Sequence, residues 1–212
     1  MQLYTGGSGG DRLDKYNKYN KYNLGIMISS SAGRYPSENF KNYPCALDNG
    51  AFSYHKSGYP FLEYVFLKTL TKCYQHKITL DFIVCPDIVE GGLKSLDFSI
   101  SWTDRLMCNN LALVVQDGVL PKHLTDDIMV KFSHIFIGGS VYWKWDTAEM
   151  WVTFAKEKGK KIHIGQCGQL HHLRRARELN VDSVDSTSWA VNQSWYILEE
   201  YVKPVEQINM GW

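Results

Sequence analysis

The stretch Val181-Asp-Ser-Val-Asp-Ser-Thr187 combines a short apolar strand, a carboxylate where that strand ends, and hydroxyl residues that open the next helix. Asp185 stands at the end of the strand, and Ser186 or Thr187 is suited to cap the helix that follows. A carboxylate in this place is held by rigid backbone and faces whatever lies beyond the carboxyl end of the strand. The same arrangement recurs along the chain.

Short apolar segments alternate with segments long enough for helices. We predict strands at 2–5, 24–29, 45–48, 80–84, 111–115, 135–137, 161–164 and 181–184, and helices at 61–75, 93–109, 121–132, 147–158, 169–180 and 188–202. Because the strands are apolar without alternation, they indicate a parallel sheet that is buried on both faces. The direct interpretation is a compact, single-domain α/β fold over residues 1–212, a (β/α)8 TIM barrel. A doubly wound open sheet is the alternative.

Size and charge narrow the functional classes. The 212 residues, 44% of them hydrophobic, suit one globular domain with a substantial core. A formal net charge of +1 argues against a protein that binds nucleic acid mainly through bulk electrostatics, although a local basic face remains compatible with it. The aromatic share of 14% is high, and ring-rich surfaces stack on bases or sugars as well as filling cores.

The cysteines and the hydropathy pattern predict a reduced, intracellular protein. Five cysteines, none of them spaced as Cys-x-x-Cys, favour neither a disulfide framework nor a Cys-rich zinc site. No run of 18 apolar residues and no apolar signal core is present. We therefore expect a cytoplasmic location, no membrane partner, no metal site and no cofactor.

Polar residues and glycines follow several of the predicted strands. They are Asp48, Asp87, Gln116, Gly138, Gly139 and Asp185. In a barrel the carboxyl ends of all strands meet at one rim, so these residues are predicted to share a pocket. Each carboxylate also has an ordinary structural explanation, as a turn residue for Asp48, a helix start for Asp87 and an N-cap for Asp185.

Two carboxylates on opposite sides of a small pocket suit substitution at an anomeric carbon. One attacks the carbon to form a covalent sugar–enzyme intermediate, and the other moves protons on and off the leaving and entering groups. A third carboxylate, a glutamine and the backbone amides of a Gly-Gly pair match the donor and acceptor edge of a purine-like base. Phe52 is placed to cover the face of its ring.

Several of these segments resemble the tRNA-guanine transglycosylases. Leu47-Asp-Asn-Gly-Ala-Phe-Ser53 resembles their Asp-Ser-Gly-Gly-Phe-Gln, Val114-Val-Gln-Asp-Gly118 their Val-Gln-Gly, Ile137-Gly-Gly139 their Gly-Gly-Leu, His163-Ile-Gly165 their Met-Gly, and Asp182-Ser-Val-Asp185 their Asp-x-Phe-Asp. The order and spacing of the segments agree over about residues 45 to 190. Each motif is short, and the ordered set is what carries the resemblance.

The resemblance implies a (β/α)8 pentosyltransferase that exchanges guanine in nucleic acid for a 7-deazaguanine through a covalent ribosyl–aspartate. Asp185 would be the nucleophile and Asp48 the general acid/base. The incoming base, a 7-deazaguanine such as preQ0, would be bound by Asp87, Gln116, Asn49, Gly138, Gly139 and Phe52. No cofactor is implied.

Departures from the family point to DNA as the substrate in place of tRNA. No Cys-rich zinc motif follows Asp185, and Ser186-Thr-Ser-Trp189 replaces the family's Pro-Thr-Arg. These features are similar to those of the compact relatives that modify DNA in phage and bacterial systems. We expect Trp143, Lys144 and Trp145 to form a stacking and phosphate-binding surface around a flipped nucleotide, or else a loop folded against the barrel. Arg34 is either a further phosphate contact or a surface charge.

Two other functions remain open. An N-glycoside hydrolase acting on nucleotides or nucleic acid would use the same pocket with water in place of the incoming base. A non-catalytic barrel would bind nucleic acid or a partner protein through its aromatic rim.

Overall fold

The computed structural model describes residues 1–6, 24–31 and 35–202, and eight parallel strands in these ranges close into a barrel. The strands follow one another around it in chain order, and β1 pairs with both β2 and β8. They are β1 (Gln2–Gly6), β2 (Leu24–Ser29), β3 (Cys45–Asp48), β4 (Leu80–Val84), β5 (Leu111–Val115), β6 (His134–Ile137), β7 (Lys161–Ile164) and β8 (Ser183–Asp185). The predicted (β/α)8 barrel is confirmed, and the open doubly wound sheet is excluded. Arg34 lies outside the described residues.

In the part of the chain that the structure describes, α-helices follow the strands from β3 onward. In the described ranges they are α1 (Ala51–Lys56), α2 (Glu63–Gln75), α3 (Leu93–Ser101), α4 (Thr103–Leu106), α5 (Asp126–Met129), α6 (Val141–Glu157), α7 (Leu170–Glu178), α8 (Ser188–Val191) and α9 (Tyr196–Val202). Short 3-10 helices span Glu38–Asn42 and Pro121–His123. None of the helices in these ranges is long and apolar enough to cross a membrane.

The strand predictions are confirmed within one residue except at β8, which begins at Ser183 and not at Val181. The reason is the end of helix α7. The N–H of Val181 donates to the carbonyl of Ala176 at 3.0 Å, and Asn180 adopts a left-handed conformation with φ of 56°. Val181, which was predicted to start the strand, thus belongs to the turn that closes helix α7. Strand β8 begins after this turn, and Asp185 is the last residue of β8.

Three helix predictions are wrong because the backbone turns inside them. The segment 93–109 is two helices that meet at Trp102 and end at Met107, which has φ of 46°. The segment 188–202 is also two helices, with Gln193 at φ of 53° between them. In 121–132 a 3-10 turn precedes the short helix α5. The helix predicted at 147–158 begins six residues earlier, at Val141, and therefore includes Trp143, Lys144 and Trp145.

Alternate side chains of the strands fill the inside of the barrel. A compact inner cluster consists of Tyr4, Met27, Ala46, Phe82, Val84, Ala112 and Val114 with Phe136 against it, while their strand neighbours pack outward with the helices. Two buried histidines, His134 and His163, join this interior, with ring centroids 4.8 and 5.0 Å from that of Phe82. The interior of the barrel is thus filled by aromatic and aliphatic side chains together with these two histidines.

Candidate active site

Three carboxylates lie at the carboxyl-end rim of the barrel. Asp48 ends β3 opposite Ser29 of β2, and Asp185 ends β8 opposite Tyr4 of β1. Asp87 follows β4 by three residues. The negative charges of Asp185 and Asp87 both act on the carboxyl group of Asp48. The barrel therefore brings together the three acidic residues that the sequence predicted at strand ends.

Asp185 is held through one of its two oxygens. His163 Nε2 lies 3.0 Å from Oδ1, and the backbone N–H of Gln166 donates to the same oxygen over 3.3 Å. From the described part of the chain no hydrogen bond reaches Oδ2. The side chain keeps 14% of its surface exposed. Among the described residues, one oxygen of Asp185 is thus fixed and the other accepts no hydrogen bond.

His163 is a buried partner of Asp185 that the sequence analysis missed. Its Nδ1 lies 2.8 Å from the hydroxyl of Ser183, and its ring stacks on Phe136 with centroids 4.6 Å apart. Burial lowers the pKa of His163 more than the carboxylate of Asp185 raises it, so the ring is neutral at pH 7. A neutral ring that donates from Nε2 to Asp185 accepts at Nδ1, and the Ser183 hydroxyl supplies that hydrogen.

Asp48 is suited to exchange protons near neutral pH. Burial and the charge of Asp185 raise the pKa of its carboxyl group to about 7, although hydrogen bonds from the Gly50 N–H and the Ser29 hydroxyl oppose the shift. At pH 7 the carboxyl group is therefore present in both protonation states. A general acid/base works best when its pKa lies close to the operating pH.

Asp87 belongs to a hydrogen-bonded group with Asn49 and Gln116. The Asn49 amide donates to Asp87 Oδ1 at 2.9 Å and to the carbonyl of Cys85 at 2.7 Å, and the Gln116 amide lies 3.2 Å from Asp87 Oδ2. Gln116 is anchored in turn by the Ser95 hydroxyl at 2.7 Å. Burial raises the pKa of Asp87 to about 6 against the effect of these donors. The carboxylate is therefore mostly ionised at pH 7 and accepts hydrogen bonds.

The prediction that Lys144 contacts phosphate is wrong. The side chain is 2% exposed, and its Nζ donates to the carbonyl of Gly165 at 2.6 Å. Burial lowers the pKa of Lys144, while neighbouring acidic groups, among them Asp185 and Asp117, oppose that change. The side chain faces the barrel because residues 141–145 form the first turn and a half of helix α6 and not a surface loop.

Trp143 and Trp145 are also drawn inward by helix α6. Both are half-buried and pack against the outer core, and the ring of Trp145 stacks on His172 with centroids 4.6 Å apart. The stacking surface predicted for these two rings is therefore largely occupied by the protein itself. Tyr142 between them is exposed.

Asp117 fixes the loop that carries Gly138 and Gly139. Its carboxylate accepts from the backbone N–H of Ser140 at 2.7 Å and from the hydroxyl of Ser140 at 2.8 Å. Ser140 then caps helix α6 by accepting from the N–H of Trp143 over 3.4 Å. This chain of bonds starts the helix at Val141, and the sequence signal for it was the Ser140 N-cap.

Replacement of Gly139 by alanine should destabilise the fold by about 2–4 kcal/mol. Gly139 has φ of 73°, and a Cβ there would come within 2.5 Å of Asp117 Oδ2 and 3.0 Å of the Trp143 ring. Gly58 is the matched control, since it has φ of 71° and no atom within 4 Å of its Cβ position. Gly58→Ala should lower the free energy of unfolding by about 1–2 kcal/mol, which is the cost of a left-handed backbone conformation for alanine. Equal losses in urea unfolding of the two variants would contradict the packing argument.

The remaining predicted contacts keep their place at the rim. Phe52 is in the first turn of α1, four residues beyond Asp48, and 52% of its surface is exposed. Gly138 directly follows β6, with the side chain of Val114 3.1 Å from its Cβ position. Their roles in binding a base stay predictions.

In the described ranges, no group of three or more His, Cys, Asp or Glu side chains is arranged to hold a metal ion. Comparison of the chain with models of protein families and with curated proteins gives no match. What the protein does must therefore be inferred from the chemistry of the rim.

Proposed function

We propose that the protein is a pentosyltransferase that replaces guanine in DNA by a 7-deazaguanine derivative through a covalent aspartyl–sugar intermediate. The observation that carries the proposal is that two carboxyl groups at the rim, those of Asp185 and Asp48, differ in their surroundings. Asp185 has one oxygen fixed by His163 and Gln166 and the other without a partner from the described residues. Asp48 has a pKa of about 7 and lies within the electrostatic reach of Asp185.

The reaction takes two substitutions at one carbon. Oδ2 of Asp185 attacks C1′ of the target nucleotide, the bond from C1′ to N9 of guanine breaks, and Asp48 gives a proton to the departing base. The incoming base then transfers its N9 proton to Asp48 and attacks C1′, which breaks the ester bond to Asp185. Protons and electrons balance over the two steps without an external oxidant or reductant.

The group formed by Asp87, Asn49 and Gln116 suits recognition of the base. Guanine and 7-deazaguanines both present N–H donors at N1 and at the 2-amino group, and an ionised carboxylate accepts from both. Asp87 is ionised at neutral pH and is held in place by two amides. The backbone of Gly138 and Gly139 and the ring of Phe52 would complete the contacts.

The proposal is tested by incubating the purified protein with guanine-containing DNA, and separately with tRNA, in the presence of a 7-deazaguanine base. Mass spectrometry of the digested nucleosides is expected to find the deazaguanine nucleoside in DNA only. Free guanine together with abasic sites would instead identify an N-glycoside hydrolase. Binding of DNA with no change in either nucleic acid would favour the non-catalytic barrel.

A further inference from the structure

Lys144 is connected to the candidate nucleophile through a single peptide unit. Its Nζ donates to the carbonyl of Gly165, and the other end of that peptide, the N–H of Gln166, donates to Oδ1 of Asp185. The carbonyl and the N–H of a trans peptide point in opposite directions. Lys144, the peptide and Asp185 therefore form one line of hydrogen bonds.

This peptide lies in a turn that local sequence does not favour. Gln166 has φ of 63°, a left-handed conformation that is costly for a residue other than glycine. Gly165 is equally constrained, since a Cβ there would lie 2.8 Å from the Phe136 ring and 3.4 Å from Asp185 Oδ1. Rotation of the peptide by half a turn would aim a carbonyl at the carboxylate. The buried donor of Lys144 on the opposite side therefore favours the observed orientation.

The surroundings of Lys144 account for its choice of partner. Five titratable groups interact electrostatically with Lys144. They are Asp117 from the loop after β5, His163 from β7, Cys167 from the loop after β7, His172 from α7 and Asp185 from β8. Asp117 is engaged with Ser140, and burial raises the pKa of Cys167 so that the thiol is neutral. The Nζ of Lys144 therefore donates to the Gly165 carbonyl, at the opposite end of the peptide whose N–H donates to Asp185.

We propose that Lys144 is a positioning residue, which holds the Gly165–Gln166 peptide so that its N–H fixes Oδ1 of Asp185 and leaves Oδ2 to attack the sugar. The importance of this arrangement for turnover rests on the function proposed above. The arrangement itself is a property of the folded chain and is testable without substrate.

Lys144→Met retains an unbranched side chain of similar length and removes the amine that donates to the Gly165 carbonyl. In the variant kcat should fall by about 10²-fold while KM stays within about twofold, because the nucleophile is misplaced and the bound base is not. Lys156→Met is the matched control, since Lys156 lies on the same helix and is exposed. It should leave both constants unchanged.

Amide hydrogen exchange measured by NMR tests the geometry independently of activity. The Gln166 N–H should exchange several-fold faster in Lys144→Met than in the wild type and in Lys156→Met. If the wild type shows no base exchange, the proposed function fails, and this faster exchange still supports the positioning role. Unchanged protection of Gln166 in folded Lys144→Met overturns the inference, as does a kcat within about threefold of an active wild type. A lower unfolding temperature with unchanged Gln166 protection would assign Lys144 to stability alone and overturn it as well.

Discussion

Replacing Asp185 by asparagine should lower the rate of guanine exchange by about 10⁴-fold or more, with no covalent DNA–protein adduct detectable after denaturation. Asparagine has the shape of aspartate, and its carbonyl oxygen still accepts from His163 Nε2 and from the Gln166 N–H. The rim should therefore keep its geometry while the attacking oxygen is lost. Exchange is followed by incorporation of labelled base into DNA, and the adduct by mass spectrometry of the protein.

Asp146→Asn provides the control for this experiment because Asp146 is an exposed carboxylate on α6. It should exchange bases at the wild-type rate. Retention of exchange in Asp185→Asn would remove Asp185 from the role of nucleophile. Loss of activity accompanied by loss of DNA binding and of folding would mean that the carboxylate has a structural role, as an N-cap residue would.

Replacing Asp48 by asparagine should make the protein slower and, at neutral pH, more stable. Burial and the negative charges of Asp185 and Asp87 raise the pKa of this carboxyl group from 3.8 to about 7 on folding. The folded state therefore holds a proton that the unfolded state releases, and the free energy of unfolding falls as the pH rises from about 4 to about 7. Asparagine removes this dependence. The gain above pH 7 is on the order of 4 kcal/mol at most, because the new amide keeps only part of the hydrogen bonding.

Thermal unfolding at several pH values measures the predicted gain in stability. The pH dependence of kcat/KM measures the predicted loss of general acid/base catalysis. The difference in unfolding temperature between Asp48→Asn and wild type should grow from pH 4 to pH 7 and then level off. The wild-type rate profile should contain an ionisation near pH 7 that the variant lacks, at a rate lower by about 10²- to 10⁴-fold. Asp127→Asn, at an exposed position of α5, should change neither curve. A variant that loses stability at every pH and keeps its rate would identify Asp48 as a turn residue for Asn49-Gly50.

The sequence alone was sufficient to predict the barrel and the acidic residues of its rim. Unbroken apolar strands separated by helical segments specify a buried parallel sheet, and in a closed parallel sheet all strand ends face the same way. Asp48, Asp87 and Asp185 could therefore be grouped without knowledge of any contact between them. Local hydrophobicity and the common direction of the strands are sufficient to place all three carboxylates at one rim.

Residues 140–145 show where local reasoning failed. For Ser-Val-Tyr-Trp-Lys-Trp the sequence predicts either a stacking and phosphate-binding surface of two rings and a lysine, or a loop folded against the barrel. Helix α6 instead begins at Val141, because Asp117 holds Ser140 in position to cap it. The partner that decides the start of the helix lies 23 residues away in sequence.

The sequence also does not predict which side chains position the candidate nucleophile Asp185. His163 and Lys144 are polar residues with buried side chains. Each contacts a group 20 or more residues away in the sequence, His163 the Asp185 carboxylate and Lys144 the Gly165 carbonyl. Hydrophobic periodicity reports whether a side chain points inward, but not which donor or acceptor it meets there. The barrel and the carboxylates at its rim follow from periodicity and strand direction, and both of these can be recognised in the sequence. Which oxygen of Asp185 is fixed depends instead on hydrogen bonds from residues 19 and 22 positions away in the chain, and these contacts exist only in the folded structure.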